Sequence, residues 1–156
     1  MRKKILVVED NTELLKLLRL NFRAAGFAVA TATNGIEALK KAHSVSPDLV
    51  LLDLVLPELD GFAVCETLRK GPTTASIPIV VLTGLNNDTA RQASRRAGTC
   101  DFITKPVNPR HLVARIKELL RQPGGSSSLP KCEQPKLPAA PAKTPARRTE
   151  AGPRSA

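Results

Sequence analysis

Five polar side chains that could act together follow separate apolar segments of this sequence. Glu9 and Asp10 come directly after the apolar residues 5–8, and Asp53 follows the apolar run at 49–52. A hydroxyl, Thr83, ends a third apolar run at 79–82, and an ammonium group, Lys105, follows shortly after Phe102. Three acids, one hydroxyl and one amine at the ends of buried segments indicate a polar site rather than a set of unrelated surface residues.

The chemistry of these groups points to a metal and an electrophile. One pair of carboxylates about 4 Å apart repels by on the order of 4 kcal/mol at an effective dielectric of 20. A divalent cation with oxygen ligands removes that repulsion, and Mg²⁺ prefers few carboxylates and several waters. The cation would also neutralise charge on an incoming phosphoryl group, so that Asp53 can attack as a nucleophile. Thr83 and Lys105 can then hold phosphoryl oxygens.

The elements that must position these groups alternate between strand and helix. Short runs rich in Ile, Leu and Val are separated by segments in which apolar residues recur every three or four positions. Five such repeats predict an α/β domain with a parallel sheet and helices on both faces. Right-handed crossovers place the carboxyl ends of all strands at one edge, where ligands bind in such folds. We therefore expect the five polar groups to converge there.

Five motifs in this order resemble the receiver domain of bacterial two-component response regulators, over essentially all of residues 1–121. The motifs are Ile-Leu-Val-Val-Glu-Asp-Asn at 5–11, Leu-Leu-Asp-Leu at 51–54, Leu-Pro-Glu-Leu-Asp-Gly at 56–61, Val-Leu-Thr-Gly at 81–84 and Thr-Lys-Pro at 104–106. The resemblance implies a doubly wound, flavodoxin-like sheet with strand order 2-1-3-4-5. It also implies a cis bond between Lys105 and Pro106.

The resemblance implies a role for each matching residue. Asp53 would be the phosphoacceptor, taking its phosphoryl group from a histidine of a sensor kinase. Mg²⁺ would be the cofactor, bound directly by Asp10, through water by Glu9, and also by Asp53 and the backbone carbonyl of Val55. Thr83 and Lys105 would contact the phosphoryl oxygens. Thr83 and Phe102 would form a switch, in which the hydroxyl moves toward the phosphate and the ring turns inward behind it.

Several positions depart from the commonest family pattern. Glu9 stands where many members have Asp, and Phe102 has no hydroxyl where many have Tyr. Val55 and Leu85, two residues beyond Asp53 and Thr83, are apolar. In the family these two positions influence how readily water attacks the acyl phosphate. The apolar pair therefore predicts slow self-dephosphorylation.

Composition divides the chain near Gln122. The four Phe residues and most large aliphatic residues precede it, whereas the remainder has no aromatic residue and is rich in Pro, Ala and basic residues. We therefore predict a receiver domain at 1–121 and a disordered basic tail at 122–156. Residues 1–121 hold 18 of the 24 basic and 12 of the 14 acidic side chains, so both parts are basic. This charge favours acidic partners without identifying one.

Cysteine usage and hydropathy predict a cytoplasmic protein that does not insert into a membrane. Cys65, Cys100 and Cys132 lie far apart without a C-x-x-C pair, which is typical of neither a disulfide framework nor a zinc site. The apolar stretch after the basic start is too short for a signal peptide, and no run approaches the ~20 apolar residues of a membrane span. The sequence contains no glycine-rich phosphate-binding motif, so it gives no support for nucleotide binding.

Three functions are compatible with the sequence. The leading hypothesis is a non-enzymatic receiver that signals to an unknown partner protein through the face of the fourth helix, fifth strand and fifth helix. Candidate contacts there are Arg91, Arg95, Arg96 and Arg115, and phosphorylation could also drive dimerisation. A second is a phosphorelay carrier that passes its phosphoryl group to a histidine phosphotransfer protein. A third is a factor that associates with nucleic acid or a membrane surface through the tail. A haloacid dehalogenase-type phosphatase also uses an Asp nucleophile, but it requires a second Asp two positions later. This chain has Val55 there, which disfavours that class.

Overall fold

The apolar runs form strands and the periodic segments form helices, in strict alternation. The structure, a computed structural model, describes residues 2–85 and 87–121. The strands are β1 (Lys4–Val8), β2 (Ala28–Ala32), β3 (Leu49–Leu52), β4 (Ile79–Thr83) and β5 (Asp101–Thr104). The helices are α1 (Thr12–Ala24), α2 (Gly35–Val45), α3 (Gly61–Lys70), α4 (Asp88–Arg96) and α5 (Pro109–Leu120).

All strands run parallel in one sheet of order β2-β1-β3-β4-β5. The register pairs Val8 with Leu52 across β1 and β3, and Thr83 with Thr104 across β4 and β5. The last residues of these four strands therefore lie along one edge of the sheet. The predicted fold class and strand order are confirmed.

Alternate residues of the sheet enter two hydrophobic cores, one on each face. On one face, Ile5 and Val7 pack with apolar residues of α1 and α5, including Phe22 and Ile116. On the other face, Leu6 and its neighbours pack with α2 and α3 through side chains such as Ala38, Ala42, Val64 and Leu68. Because β1 and β3 are buried on both sides, the polar residues that come after them are held in place by a well-packed base.

Each helix begins at an Asn or Asp whose side chain accepts a hydrogen bond from the first turn. These residues are Asn11, Asn34, Asp60, Asn87 and Asn108. Such caps satisfy backbone N–H groups that have no partner within the helix. They fix the point at which the chain leaves the functional edge of the sheet and enters the next helix.

The cysteines differ in state, and one of them departs from expectation. Cys65 is a buried free thiol, whereas Cys100 is disulfide-bonded. The expectation of no disulfide, drawn from cysteine spacing alone, was therefore wrong for Cys100. Spacing along the chain does not show which thiols the fold brings together.

The proposed basic tail, residues 122–156, lies outside the described residues, so its disorder stays a prediction. Among residues 2–85 and 87–121, every helix is too short or too polar to span a bilayer.

Candidate functional site

Three carboxylates converge at the carboxyl edge of the sheet. Glu9 and Asp10 come after β1, and Asp53 comes after β3, the strand paired with β1. One carboxylate oxygen from each residue lies within 4.8 Å of the other two. Glu9 and Asp53 are only 1% and 4% exposed, whereas Asp10 faces solvent. Two buried acids beside an exposed one form a cluster that is open on one side.

Lys105 lies between the two buried acids. Its Nζ is 2.8 Å from Asp53 Oδ2, to which it donates a hydrogen bond, and 2.8 Å from Glu9 Oε1. The peptide bond from Lys105 to Pro106 is cis, as the resemblance implied. The backbone N–H of Lys105 also donates to the carbonyl of Thr83 at 2.9 Å. The single ammonium group therefore serves two carboxylates and is tied to the end of β4.

The electrostatics of the site leave negative charge that Lys105 does not neutralise. Burial raises the pKa of Glu9 above its usual value, against the opposing effect of the Lys105 contact. Burial alone lowers the pKa of Lys105, but its contacts with the Asp53 and Glu9 carboxylates outweigh burial and raise that pKa. Glu9 Oε1 is buried without a hydrogen bond of acceptable geometry, so its contact with Lys105 is ionic. Oxygen ligands with an unsatisfied buried carboxylate fit a hard divalent cation.

The backbone after β3 fixes the Asp53 carboxylate. The N–H of Val55 donates to Asp53 Oδ1 at 3.0 Å, so both carboxylate oxygens have protein donors. Gly61 begins α3 against this loop, and a Cβ there would lie 2.4 Å from the Asp53 carbonyl oxygen. Only glycine permits this close approach, which explains the Gly at this position of the motif. Across the site, the N–H of Asn11 donates to Glu9 Oε2 at 3.1 Å.

Thr83 and Phe102 lie on the same face of the sheet beside this cluster. Thr83 is fully buried, and its Oγ1 accepts a hydrogen bond from the Leu85 N–H at 3.3 Å. Phe102 pairs with Val81 in the register, two residues before Thr83. Its half-buried ring contacts Arg91 of α4, whose guanidinium carbon is 4.7 Å from the ring centroid. Phe102 is thus adjacent to the site and is not part of the acidic cluster.

The remaining predicted residues lie at the rim or on the neighbouring face. The side chains of Val55 and Leu85 are 56% and 36% exposed, so two apolar groups stand beside the opening to solvent. Arg95 and Arg96 are exposed on α4. Arg115 of α5 is 2.8 Å from Asp101 and 2.8 Å from Glu118. Of the four arginines proposed as partner contacts, Arg115 is therefore already held in an intramolecular ion pair.

The sequence did not predict two contacts at this site. The direct pairing of Glu9 with Lys105 depends on how far each side chain reaches across the sheet edge. The contact between Arg91 and Phe102 depends on how α4 is rotated against β5. The sequence showed the residues but contained no signal for either contact.

Comparison with known proteins agrees with this geometry. The sequence model of the response regulator receiver domain family matches residues 5–117. The alkaline phosphatase synthesis transcriptional regulatory protein PhoP of Bacillus subtilis is 43% identical over 122 residues, which are 78% of this chain and 50% of that protein. The DNA-binding dual master transcriptional regulator RpaA of Synechocystis is 37% identical over 76% of this chain and 49% of its own length. The chain thus spans about half the length of these relatives.

Solved structures extend the agreement to the fold. The CheY-like response regulator receiver domain protein of Methanospirillum hungatei is 31% identical, with a TM-score of 0.71 over 76% of this chain and 93% of that one. The chemotaxis response regulator CheY4 of Vibrio cholerae is 27% identical, with a TM-score of 0.72 over 76% and 98%. The acidic cluster and the lysine agree with this likeness. The family match over residues 5–117 shows that this chain belongs to the response regulator receiver domain family of two-component systems.

Proposed function

We propose that Asp53 accepts a phosphoryl group from a phosphohistidine of a sensor kinase, with Mg²⁺ bound at the acidic cluster. The observation that carries this proposal is the buried Asp53 carboxylate. A lysine ammonium lies 2.8 Å from it, and two further acids each have an oxygen within 4.8 Å of one of its own. A structural role alone would not require three acids and one amine to meet at an open sheet edge.

The transfer is a single displacement at phosphorus. A carboxylate oxygen of Asp53 forms the new O–P bond while the N–P bond to the kinase histidine breaks. The histidine nitrogen keeps the electron pair of that bond. The acyl phosphate formed on Asp53 carries more negative charge than the carboxylate it replaces. Lys105, already hydrogen-bonded to Asp53 Oδ2, is placed to neutralise part of that charge.

Glu9, Asp10 and Asp53 are the residues that would hold Mg²⁺. When bound, the cation supplies positive charge to the transferring phosphoryl oxygens. The backbone carbonyl of Val55 is a further ligand by family resemblance. The buried, incompletely satisfied Glu9 Oε1 supports this assignment, and the solvent-facing Asp10 leaves room for water ligands.

The output of this chain is a change at the surface of α4, β5 and α5. Thr83 Oγ1 now accepts from Leu85 N–H, and its hydroxyl hydrogen would be donated to a phosphoryl oxygen on Asp53. Movement of Thr83 would open space behind it for the Phe102 ring. The exposed Arg91, Arg95 and Arg96 on α4 suit an acidic partner protein. A phosphorylation-dependent homodimer would use the same face.

The alternatives differ in the fate of the phosphorylated chain. A phosphorelay carrier would use the same Asp53 chemistry and return the phosphoryl group to a histidine phosphotransfer protein. The relatives PhoP and RpaA are named as transcriptional regulators, and this favours association with nucleic acid as an alternative. We place the chain in the cytoplasm, as a phosphoacceptor without enzymatic turnover of its own beyond self-dephosphorylation.

Phosphorylation with acetyl phosphate and Mg²⁺ tests the proposal, with intact mass as the measurement. Wild type should gain one phosphoryl group, whereas Asp53→Asn should gain none. Asp88→Asn, an exposed Asp of α4, is the matched control and should behave as wild type. EDTA should abolish the gain. An unmodified wild type, or equal modification of Asp53→Asn, would overturn the proposal.

The destination of the phosphoryl group separates the alternatives. Adding a histidine phosphotransfer domain should remove the label rapidly only if the chain is a relay carrier. Capture of partners by wild type treated with beryllofluoride, compared with Asp53→Asn, identifies an output protein. Deleting residues 123–156 and measuring salt-dependent binding to DNA tests association through the tail.

A further inference from the structure

The aromatic ring beside the site is covered by a cation from α4. The guanidinium carbon of Arg91 stands 4.7 Å from the Phe102 ring centroid. This distance is within the ~6 Å over which a cation is attracted by the face of an aromatic ring. Arg91 is exposed and Phe102 is half-buried, so the contact lies at the boundary between the domain and solvent.

The backbone of Arg91 is fixed where this contact is made. Its N–H donates to the carbonyl of Asn87, the residue that caps α4, at 3.1 Å. Its carbonyl accepts from the buried Ser94 hydroxyl at 3.0 Å. The side chain therefore leaves a defined turn of α4 rather than a loop.

Helix α4 buries few large side chains against β5. Its buried residues are Ala90 and Ser94, whereas α1 buries Leu15, Leu18 and Phe22. Small buried side chains remove little apolar surface from water, so they anchor a helix weakly. The contact of Arg91 with Phe102 therefore adds a specific interaction where α4 is otherwise weakly anchored.

Phe102 also lacks the group that would hold its ring outward by a hydrogen bond. A phenylalanine ring has no polar atom, and its position is set by packing and by the electrostatics of its face. In the register, Phe102 pairs with Val81, and Thr83 lies two residues later on the same face of the sheet. A ring that leaves the guanidinium can therefore turn toward Thr83.

We propose that Arg91 is a positioning residue that holds the Phe102 ring outward by a cation–π contact and so opposes activation of the domain. The inference rests on the proposed phosphoacceptor function of Asp53 and deepens it by naming the residue that regulates the switch. Arg91 acts through the ring and does not touch the phosphoryl group. Because ring position and phosphorylation are linked, a residue that favours one ring position must disfavour the phosphorylated state.

The expected effect is modest and measurable. An exposed cation–π contact shifts a two-state equilibrium by roughly two- to fivefold. Replacing Arg91 by Gln should therefore lower the beryllofluoride concentration for half-saturation, in the presence of Mg²⁺, by roughly two- to fivefold. Loss of a positive charge by itself would weaken binding of the beryllofluoride anion. The loss of charge and the loss of the cation–π contact therefore change the half-saturating concentration in opposite directions.

The experiment compares Arg91→Gln, Arg91→Lys and Arg95→Gln in the full chain. Arg95→Gln removes the same charge from an exposed position one turn along α4 and reports the general effect of charge. Arg91→Lys retains a cation and should restore near-wild-type binding. In the background of Phe102→Leu, which removes the ring, Arg91→Gln should behave like Arg95→Gln.

Ring position supplies a second measurement, in which Arg91→Gln itself is observed without metal or phosphoryl analogue. The chain contains four Phe residues, so carbon-labelled phenylalanine gives few signals, and Phe102→Leu identifies the one of interest. The Phe102 signal of untreated Arg91→Gln should shift toward its position in the beryllofluoride-bound wild type. If Arg91→Gln matches Arg95→Gln in both measurements, the inference fails. If wild type itself does not bind beryllofluoride, the proposed function fails instead.

Discussion

The carboxylate of Glu9 is buried, and burial makes its charged form unfavourable when no metal is bound. Its raised pKa, caused mainly by burial, means that the folded state binds this proton more tightly than the unfolded state. The contribution of Glu9 to the free energy of unfolding therefore falls as pH rises from about 4.5 through the raised value in the folded protein. At neutral pH the side chain opposes folding.

Replacing Glu9 by Gln should consequently stabilise the metal-free protein. We expect the free energy of unfolding in EDTA at pH 7 to rise by about 1 kcal/mol, because Lys105 retains its hydrogen bond to Asp53. Urea denaturation followed by circular dichroism measures the change. Asp10→Asn, at an exposed position, is the control and should change stability less. A clear loss of stability in Glu9→Gln would contradict the argument.

Val55 sets the polarity of the opening to the phosphorylated carboxylate. Its side chain is 56% exposed and offers water no hydrogen bond. In Val55→Asn an amide could orient water for attack on the acyl phosphate, so decay should become about tenfold faster. Loss of label from phosphorylated protein after removal of acetyl phosphate gives the rate. Val55→Ile keeps the apolar surface and should decay as wild type, and equal decay of Val55→Asn would contradict the prediction.

The residues at the ends of strands were predictable from the sequence because burial and polarity change abruptly there. Asp53 comes after four buried residues, and this boundary is visible in the order of residue types. Side-chain partners across the site were not predictable, because they depend on distances of a few ångströms. Lys105 was assigned to the phosphoryl group by resemblance, and its contact with Glu9 emerged only from the folded geometry.

Helix α2 begins with a reciprocal set of hydrogen bonds that ties it to the loop after β2. Asn34 Oδ1 accepts from the N–H of Glu37, while Glu37 Oε1 accepts from the N–H of Thr33 at 2.9 Å. This arrangement is a variant of the capping box, in which two side chains satisfy backbone donors at the start of a helix. The hydrogen bond from the Thr33 backbone is the main cause of the lowered pKa of Glu37.

The lowered pKa of Glu37 predicts how stability depends on pH. The folded state favours the carboxylate, so the stabilisation is present above the usual pKa of 4.5. It is lost as pH falls through the lower value of the folded protein. Glu37→Gln should therefore cost less than about 1 kcal/mol at pH 7, because the side chain is partly exposed, and progressively less as pH falls below 4.5. Urea titrations of both proteins at each pH measure the difference, and a cost independent of pH would contradict it.

The elements themselves were largely predictable, with differences of a few residues at their ends. Strand β2 at Ala28–Ala32 is rich in alanine, but it is recognisable because it lies between two clear helical patterns. Strand β5 is longer than its apolar pair at 102–103, since Asp101 and Thr104 also pair with β4. Pairing along a sheet edge extends strands beyond their apolar residues, and local hydrophobicity does not show this.

At the scale of the whole molecule, strand order was available only through resemblance. Alternating strands and helices fix the direction and handedness of each crossover, but they do not fix which strands become neighbours. The order β2-β1-β3-β4-β5 places β1 beside β3, and this pairing brings Glu9 and Asp10 to Asp53. The site therefore depends on the topology of the domain as much as on the residue types.

Because acids from β1 and β3 meet at one site, binding of Mg²⁺ should stabilise the whole domain against unfolding. A ligand that binds only the folded state adds about 1.4 kcal/mol to the free energy of unfolding for each tenfold increase above its dissociation constant. We expect this slope for wild type in urea denaturation at increasing MgCl₂ and constant ionic strength. In Asp53→Asn and Glu9→Gln the stabilisation should begin only at higher MgCl₂ concentration, because each weakens the cluster of three carboxylates. Asp88→Asn, outside this cluster, should respond to MgCl₂ as wild type does. Equal stabilisation of all four proteins would show that Mg²⁺ acts elsewhere on the chain, and the metal assignment at the sheet edge would then be wrong.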